Sequence, residues 1–213
     1  MQKLDKAIID LDDLSQEEAH NMVRESETRF FRVGLFFFLN NRLDSIIKEF
    51  PEIDILLDIP TSGDIDRTAE AFRNHASMNN VRYIMIYQHN IPKATKKHIE
   101  IIKGNTDMTP IIPILKIHAE SIEEDEGYEE GEEPNILHTM KRCRMAVECG
   151  AKGLMLWGGH NIKWARDQWP SLILIAMSGS MADHADHVVI NSSSASIANA
   201  MRKAIPTKTA SKC

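Results

Sequence analysis

Short apolar runs in this chain end repeatedly on polar side chains. Ala7-Ile-Ile runs into Asp10, Phe30-Phe31 into Arg32, and Ile55-Leu-Leu into Asp58, with Asp64 six residues further on. Tyr83–Tyr87 leads to His89, and Ile111–Leu115 to Lys116 and His118. Gly153–Trp157 is followed by His160, Leu172–Met177 by Ser178-Gly179-Ser180, and Val188–Ile190 by Asn191, Ser192, Ser193 and Ser194. If the runs are parallel strands of one sheet, these side chains gather at a single end. Clustered carboxylates such as Asp10, Asp58 and Asp64 repel one another unless a cation stands between them, and Arg32 and Lys116 are the cations at hand. Asp58 also reads as a structural ion-pair partner of Arg32, and Asp64 as the N-cap of a helix from Ile65. The imidazoles of His89, His118 and His160 suit substrate contacts or proton transfer. Their spacing follows the strand repeat and matches no metal-ligand motif, so neither metal nor cofactor is expected. Gly179 between two serines lets backbone N–H groups approach an anion, and Ser192–Ser194 lead into a last helix. Together the two turns are a candidate phosphate site, with plain helix capping as the alternative.

The elements that must hold these residues follow from periodicity. Strands are expected at Ala7–Leu11, Phe30–Phe38, Ile53–Ile59, Tyr83–Tyr87, Ile111–Ile117, Gly153–Trp157, Leu172–Met177 and Val188–Ile190. Helices separate them. The first opens on the capping box Ser15-Gln-Glu-Glu18, and the one over Asn135–Glu148 closes at Gly150. Eight continuous apolar strands alternating with helices predict an α/β fold, a single-domain (β/α)8 TIM barrel. An open doubly wound sheet is the runner-up, and the first strand lacks the glycine-rich fingerprint that would favour it. Residues 1–205 form the expected barrel, residues 119–134 an acidic insertion and residues 206–213 a frayed tail.

Composition narrows the function. The 213 residues are 43% apolar, enough for one full-sized core. Three cysteines exclude a disulfide framework. The apolar runs are too short to span a membrane, and no signal peptide is apparent, so the expected location is cytoplasmic. Between Glu120 and Glu133 lie nine acids and no Lys or Arg; setting them aside turns the net charge of −6 into +3 for the remainder. No dense basic stripe offers itself to nucleic acid. The acidic stretch reads as a solvated insertion, with a lid over the barrel mouth as the alternative.

Several of these motifs resemble orotidine 5′-phosphate decarboxylases. Ala7-Ile-Ile-Asp-Leu-Asp-Asp-Leu with Glu17-Glu18-Ala19 is similar to their first strand and helix, and Arg32-Val-Gly-Leu to their Lys-Val-Gly second strand. Leu57-Asp58 with Asp64-Ile-Asp-Arg-Thr68 resembles their Asp-x-Lys-x-x-Asp motif, and His184-Ala-Asp-His-Val-Val their eighth strand. The resemblance implies a ribulose-phosphate-binding barrel, a homodimer, and a lyase or isomerase acting on a small phosphorylated anion. It assigns Asp58 and Asp64 to electrostatic or acid/base work, with Arg32 as their cation partner. The departures are specific. Pro60 stands where the family has the lysine that protonates the carbanion, Arg32 replaces the strand-two lysine, and Asn191-Ser192 replaces a phosphate-binding Gly-Arg. Lys116 is the candidate replacement proton donor. Two alternatives stand beside this reading. One is a barrel that has lost catalysis and serves as a binding or structural protein. The other is a pyruvate/phosphoenolpyruvate-type barrel enzyme, which Ile55-Leu-Leu-Asp-Ile-Pro, Lys116-Ile117 and Gly153-Leu-Met-Leu resemble.

Overall fold

The computed structural model describes residues 6–59, 80–87, 92–114, 134–157, 159–177 and 183–192. Eight strands close in chain order into one all-parallel barrel. They are β1 (Ala7–Asp10), β2 (Phe30–Gly34), β3 (Asp54–Asp58), β4 (Val81–Met85), β5 (Thr109–Pro113), β6 (Gly153–Leu156), β7 (Ile173–Ala176) and β8 (His187–Asn191). Among the described residues the helices are α1 (Gln16–Glu25), α2 (Leu35–Asn40), α3 (Leu43–Glu49), α4 (Pro92–Asn105), α5 (Pro134–Glu148) and α6 (Gly159–Gln168). The (β/α)8 expectation holds. The acidic stretch up to residue 133 and the tail lie outside the described residues, as does the predicted last helix.

Alternation along each strand makes two cores. Ile8, Phe30, Leu56, Tyr83, Met85, Ile111, Met155, Ile175 and Val189 fill the barrel, with Tyr87 and Met177 packed against them. The alternate residues, among them Ile9, Phe31, Ile55, Leu57, Ile84, Ile112, Leu154, Leu174 and Val188, pack outward beneath the helices. Both faces are therefore apolar, which is why the strands read as unbroken hydrophobic runs. Full burial of a side chain of this size contributes about 1.5–3 kcal/mol, so the two layers supply the main drive to close the barrel.

Local signals set several ends. Ser15 and Glu18 form the expected capping box, the Glu18 N–H donating to Ser15 Oγ at 3.3 Å and the Ser15 N–H to the Glu18 carboxylate at 2.9 Å. Helix α5 closes as expected at Gly150, whose φ of 94° is open to glycine and strained for other residues. The Gly150 N–H reaches Val147 O and the Ala151 N–H reaches Ala146 O, so two orphan carbonyls are satisfied. Cys143 lies on the buried face of this helix, and burial pushes its thiol up to about 12, which leaves it an inert core residue.

One expectation fails. The run Phe30–Phe38 is not one strand: β2 stops at Gly34 and Leu35–Asn40 turns into α2. The cause is Asp12, whose Oδ1 accepts the Phe37 N–H at 2.9 Å and so satisfies an orphan donor of the new helix. The Asp12 carboxylate fills the space a side chain at residue 34 would need, 2.3–2.5 Å from where its Cβ would stand. The helix buries Phe37 and leaves Phe36 and Leu39 on the surface. An all-apolar run does not by itself distinguish strand from helix. Among the described residues no helix is long and apolar enough to cross a membrane.

Candidate functional site

Three neighbouring strands deliver the charged centre. Asp10 and Asp58 close β1 and β3, and Arg32 stands two residues before the end of β2; all three continue the inward-facing series of Ile8, Phe30 and Leu56. The ladder pairs Asp10 with Arg32 and Gly34 with Asp58, so the three side chains meet over the barrel interior. The Arg32 Nε donates to Asp58 Oδ2 at 2.9 Å, and Nη2 reaches the same oxygen. Arg32 Nη1 donates to Asp10 Oδ2. Asp58 Oδ1 accepts the Tyr87 hydroxyl at 2.7 Å, and Asp10 Oδ1 accepts the Asp12 N–H at 3.1 Å. Asp58 is only 4% exposed, while Arg32 and Asp10 keep 17% and 18% of their side chains open to the mouth.

The electrostatics follow from burial and pairing. Burial disfavours the charge on Arg32, but the attraction of Asp10 and then Asp58 outweighs it and holds the guanidinium above its ordinary value. At Asp10 the balance goes the other way: burial raises its carboxyl more than Arg32 and the Asp12 N–H lower it. Tyr87 is raised well above the usual phenol range by burial and by the Asp58 charge beside it, so it serves as a neutral donor. A charged group left without a partner here would cost several kcal/mol, and each member of the cluster is held by at least two others or by backbone.

Of the predicted residues, the structure brings Asp10, Arg32 and Asp58 together. His160 follows β6 on the first turn of α6, where it is exposed. Ser192 directly follows β8 and is half-buried. Asp64, His89, Lys116, His118, Ser178, Gly179, Ser180, Ser193 and Ser194, with Pro60, lie outside the described residues. Among the described residues no group of three or more His, Cys, Asp or Glu is arranged to hold a metal ion.

Two mouth residues escaped the sequence reading. Tyr87 reads in the sequence as the end of the fourth apolar run, although Tyr83, Met85 and Tyr87 fall on one face of an alternating strand. Trp157 immediately follows β6, the strand opposite β2, and is 39% exposed. The Met177 N–H donates to Leu156 O at 3.0 Å, so the β6–β7 ladder continues at this height. Among the described residues the mouth is thus charged over β1–β3, while Trp157 and Met177 directly follow β6 and β7.

The far end of the barrel holds a different cluster. His187 packs edge-on against Phe30 and Tyr83 at centroid distances of 5.0 and 5.6 Å. Its Nε2 lies 3.3 Å from the Tyr83 hydroxyl, while its Nδ1 is buried with no hydrogen-bond partner. Burial pulls its pKa down to about 4. Nearby, Asp186 accepts from the Leu174 N–H at 2.8 Å and from Arg166 at 2.6 Å. The aspartate of the His184-Ala-Asp-His motif is therefore a structural clasp between α6, β7 and β8.

No protein-family model matches the chain, and no curated protein matches it. Solved structures do. An uncharacterized conserved protein from Geobacillus kaustophilus superposes with a TM-score of 0.68 at 16% identity, over 87% of this chain and 90% of that one. Orotidine 5′-phosphate decarboxylase from Lactobacillus acidophilus superposes with a TM-score of 0.67, also at 16% identity, over 87% of this chain and 89% of that one. At this identity the likeness bears on the fold.

Proposed function

We propose that the protein is a divergent orotidylate-decarboxylase-like barrel enzyme, a lyase or isomerase acting on a small phosphorylated anion at the C-terminal mouth. The observation that carries the reading is the Asp10–Arg32–Asp58 cluster. Buried ion pairs are a poor source of stability compared with apolar packing, so three charged residues converging at the catalytic end of a barrel are better explained by a ligand. Arg32 has five N–H donors, of which three are engaged with the carboxylates, and the remaining Nη hydrogens are available to a ligand oxygen. Asp10, partly open to the mouth, is the acid/base candidate. The proposed phosphate contacts are residues 178–180 and 192–194, which follow β7 and β8 in sequence, the position where barrels of this kind commonly hold phosphate. The proposed assembly is a homodimer and the proposed location is cytoplasmic.

Calorimetric titration with sugar phosphates and nucleotides tests this. Wild type is expected to bind at least one member. Gly179→Leu, which blocks close approach of an anion, and Ser193→Glu, which repels it, are expected to weaken that binding without lowering the melting temperature. Failure of wild type to bind any of them, or equal binding by both variants, would overturn the assignment in favour of a non-catalytic barrel.

A further inference from the structure

Among the described residues, the charges of the Asp10–Arg32–Asp58 cluster bear on which end of the ligand it accepts, and this rests on the reading just given. Two carboxylates, Asp10 and Asp58, face one guanidinium, so with both ionised the cluster carries a net charge of −1. Asp12 adds another carboxylate close by, joined to Asp10 through its own N–H at 3.1 Å. Tyr87, the remaining partner, is a neutral donor whose hydrogen is already committed to Asp58. The positive charge of Arg32 is therefore matched twice over before any ligand arrives, although some of its N–H groups are unspent.

We propose that the ligand group meeting Asp10, Arg32 and Asp58 is an uncharged, hydroxyl- or carbonyl-bearing carbon, and that a ligand carboxylate is excluded from this position. A hydroxyl satisfies the site in both directions: it donates to the partly open Asp10 carboxylate and accepts from an unspent Arg32 N–H. A carboxylate offers only acceptors and sets a third negative charge against Arg32, the one cation among the described residues of this cluster, in a place of low exposure. Within the proposed function, this favours isomerisation over decarboxylation.

The experiment uses three probes of equal chain length and identical phosphate: ribose 5-phosphate, ribitol 5-phosphate and 5-phosphoribonate. Each is titrated into the full chain by calorimetry at neutral pH, with inorganic phosphate as a fourth probe. The two neutral-ended probes are expected to bind at least about tenfold tighter than the acid, the effect of one uncompensated like-charge contact. Asp10→Asn and Asp58→Asn each cancel the excess charge and are expected to narrow that gap, with melting curves identifying which variant stays folded. Asp44→Asn, on the exposed outer face of α3, changes the net charge equally and is expected to leave the gap unchanged. Tighter or equal binding of 5-phosphoribonate overturns the inference and leaves the phosphorylated-ligand reading intact. Binding of inorganic phosphate with refusal of all three probes also overturns the inference alone. Silence of all four overturns both.

Discussion

Replacing Arg32 with Met keeps much of the aliphatic stem and removes the guanidinium that separates Asp10 from Asp58. Asp58 then loses its two donors from Arg32 and keeps only the Tyr87 hydroxyl, and Asp10 keeps only the Asp12 N–H. Both carboxylates stay where solvent scarcely reaches, with Asp58 4% exposed. Removing one partner from a buried charge cluster typically costs about 3–5 kcal/mol. For a domain of this size, each kcal/mol corresponds to about 2–4 °C, so the melting temperature is expected to fall by about 6–20 °C. The pH dependence identifies the cause. Without the cation the Asp10 carboxyl, already raised by burial, binds its proton more tightly still in the folded state than in the unfolded chain. Folded protein then gains relative stability as pH falls, and the deficit of Arg32→Met against wild type shrinks from about pH 7 to about pH 5. The assay is urea unfolding of both proteins across that range. A loss below about 1 kcal/mol, typical of an exposed pair, would refute the reasoning. So would a deficit that does not change with pH.

Three further outcomes follow from particular contacts. Gly34→Ala drives a methyl into the Asp12 carboxylate, breaks its bond to the Phe37 N–H and is expected to cost about 1 kcal/mol, as is Asp12→Ala; urea midpoints measure both. His187 is held neutral with its pKa near 4, below that of an unfolded histidine. The unfolded chain therefore takes up a proton first, and wild type loses up to about 1.4 kcal/mol per pH unit as pH falls from about 6.5 towards 4. His187→Phe lacks this loss, so melts of the two at neutral and mildly acid pH should converge or cross on acidification. Pro60 stands in place of the carbanion-protonating lysine, so spectrophotometric assay with orotidylate should show no turnover; robust decarboxylation would point to a replacement acid such as Lys116.

The parts of this molecule that were legible in the sequence are those with a short-range physical signature. Eight apolar runs spaced by helices specify the closed barrel, because strands covered on both faces must be apolar throughout. The capping box at Ser15 and the closure at Gly150 are local and were equally readable. Asp10, Arg32 and Asp58 were identifiable because each interrupts an apolar strand. Arg32 was readable as a cation for the carboxylates, but which atoms meet was not, because that depends on the register of β1, β2 and β3. The helix at Leu35 was hidden because its cap, Asp12, comes from an earlier segment of the chain. Tyr87 looked like one more apolar strand residue until its hydroxyl met Asp58. The His187 cluster depends on β2, β4 and β8 coming together towards the N-terminal end of β8.

The central claim is that the mouth performs proton chemistry on a phosphorylated, hydroxyl-bearing ligand. Incubating the protein with sugar phosphates in deuterated water, and following the hydrogen beside each carbonyl by proton NMR, tests it directly. The account predicts catalysed deuterium uptake at that carbon in at least one of them, lost in Arg32→Met and Asp10→Asn under conditions where both variants remain folded. Uptake that survives both substitutions, or no uptake in any compound that calorimetry shows to bind, would contradict it and leave a binding barrel without catalysis.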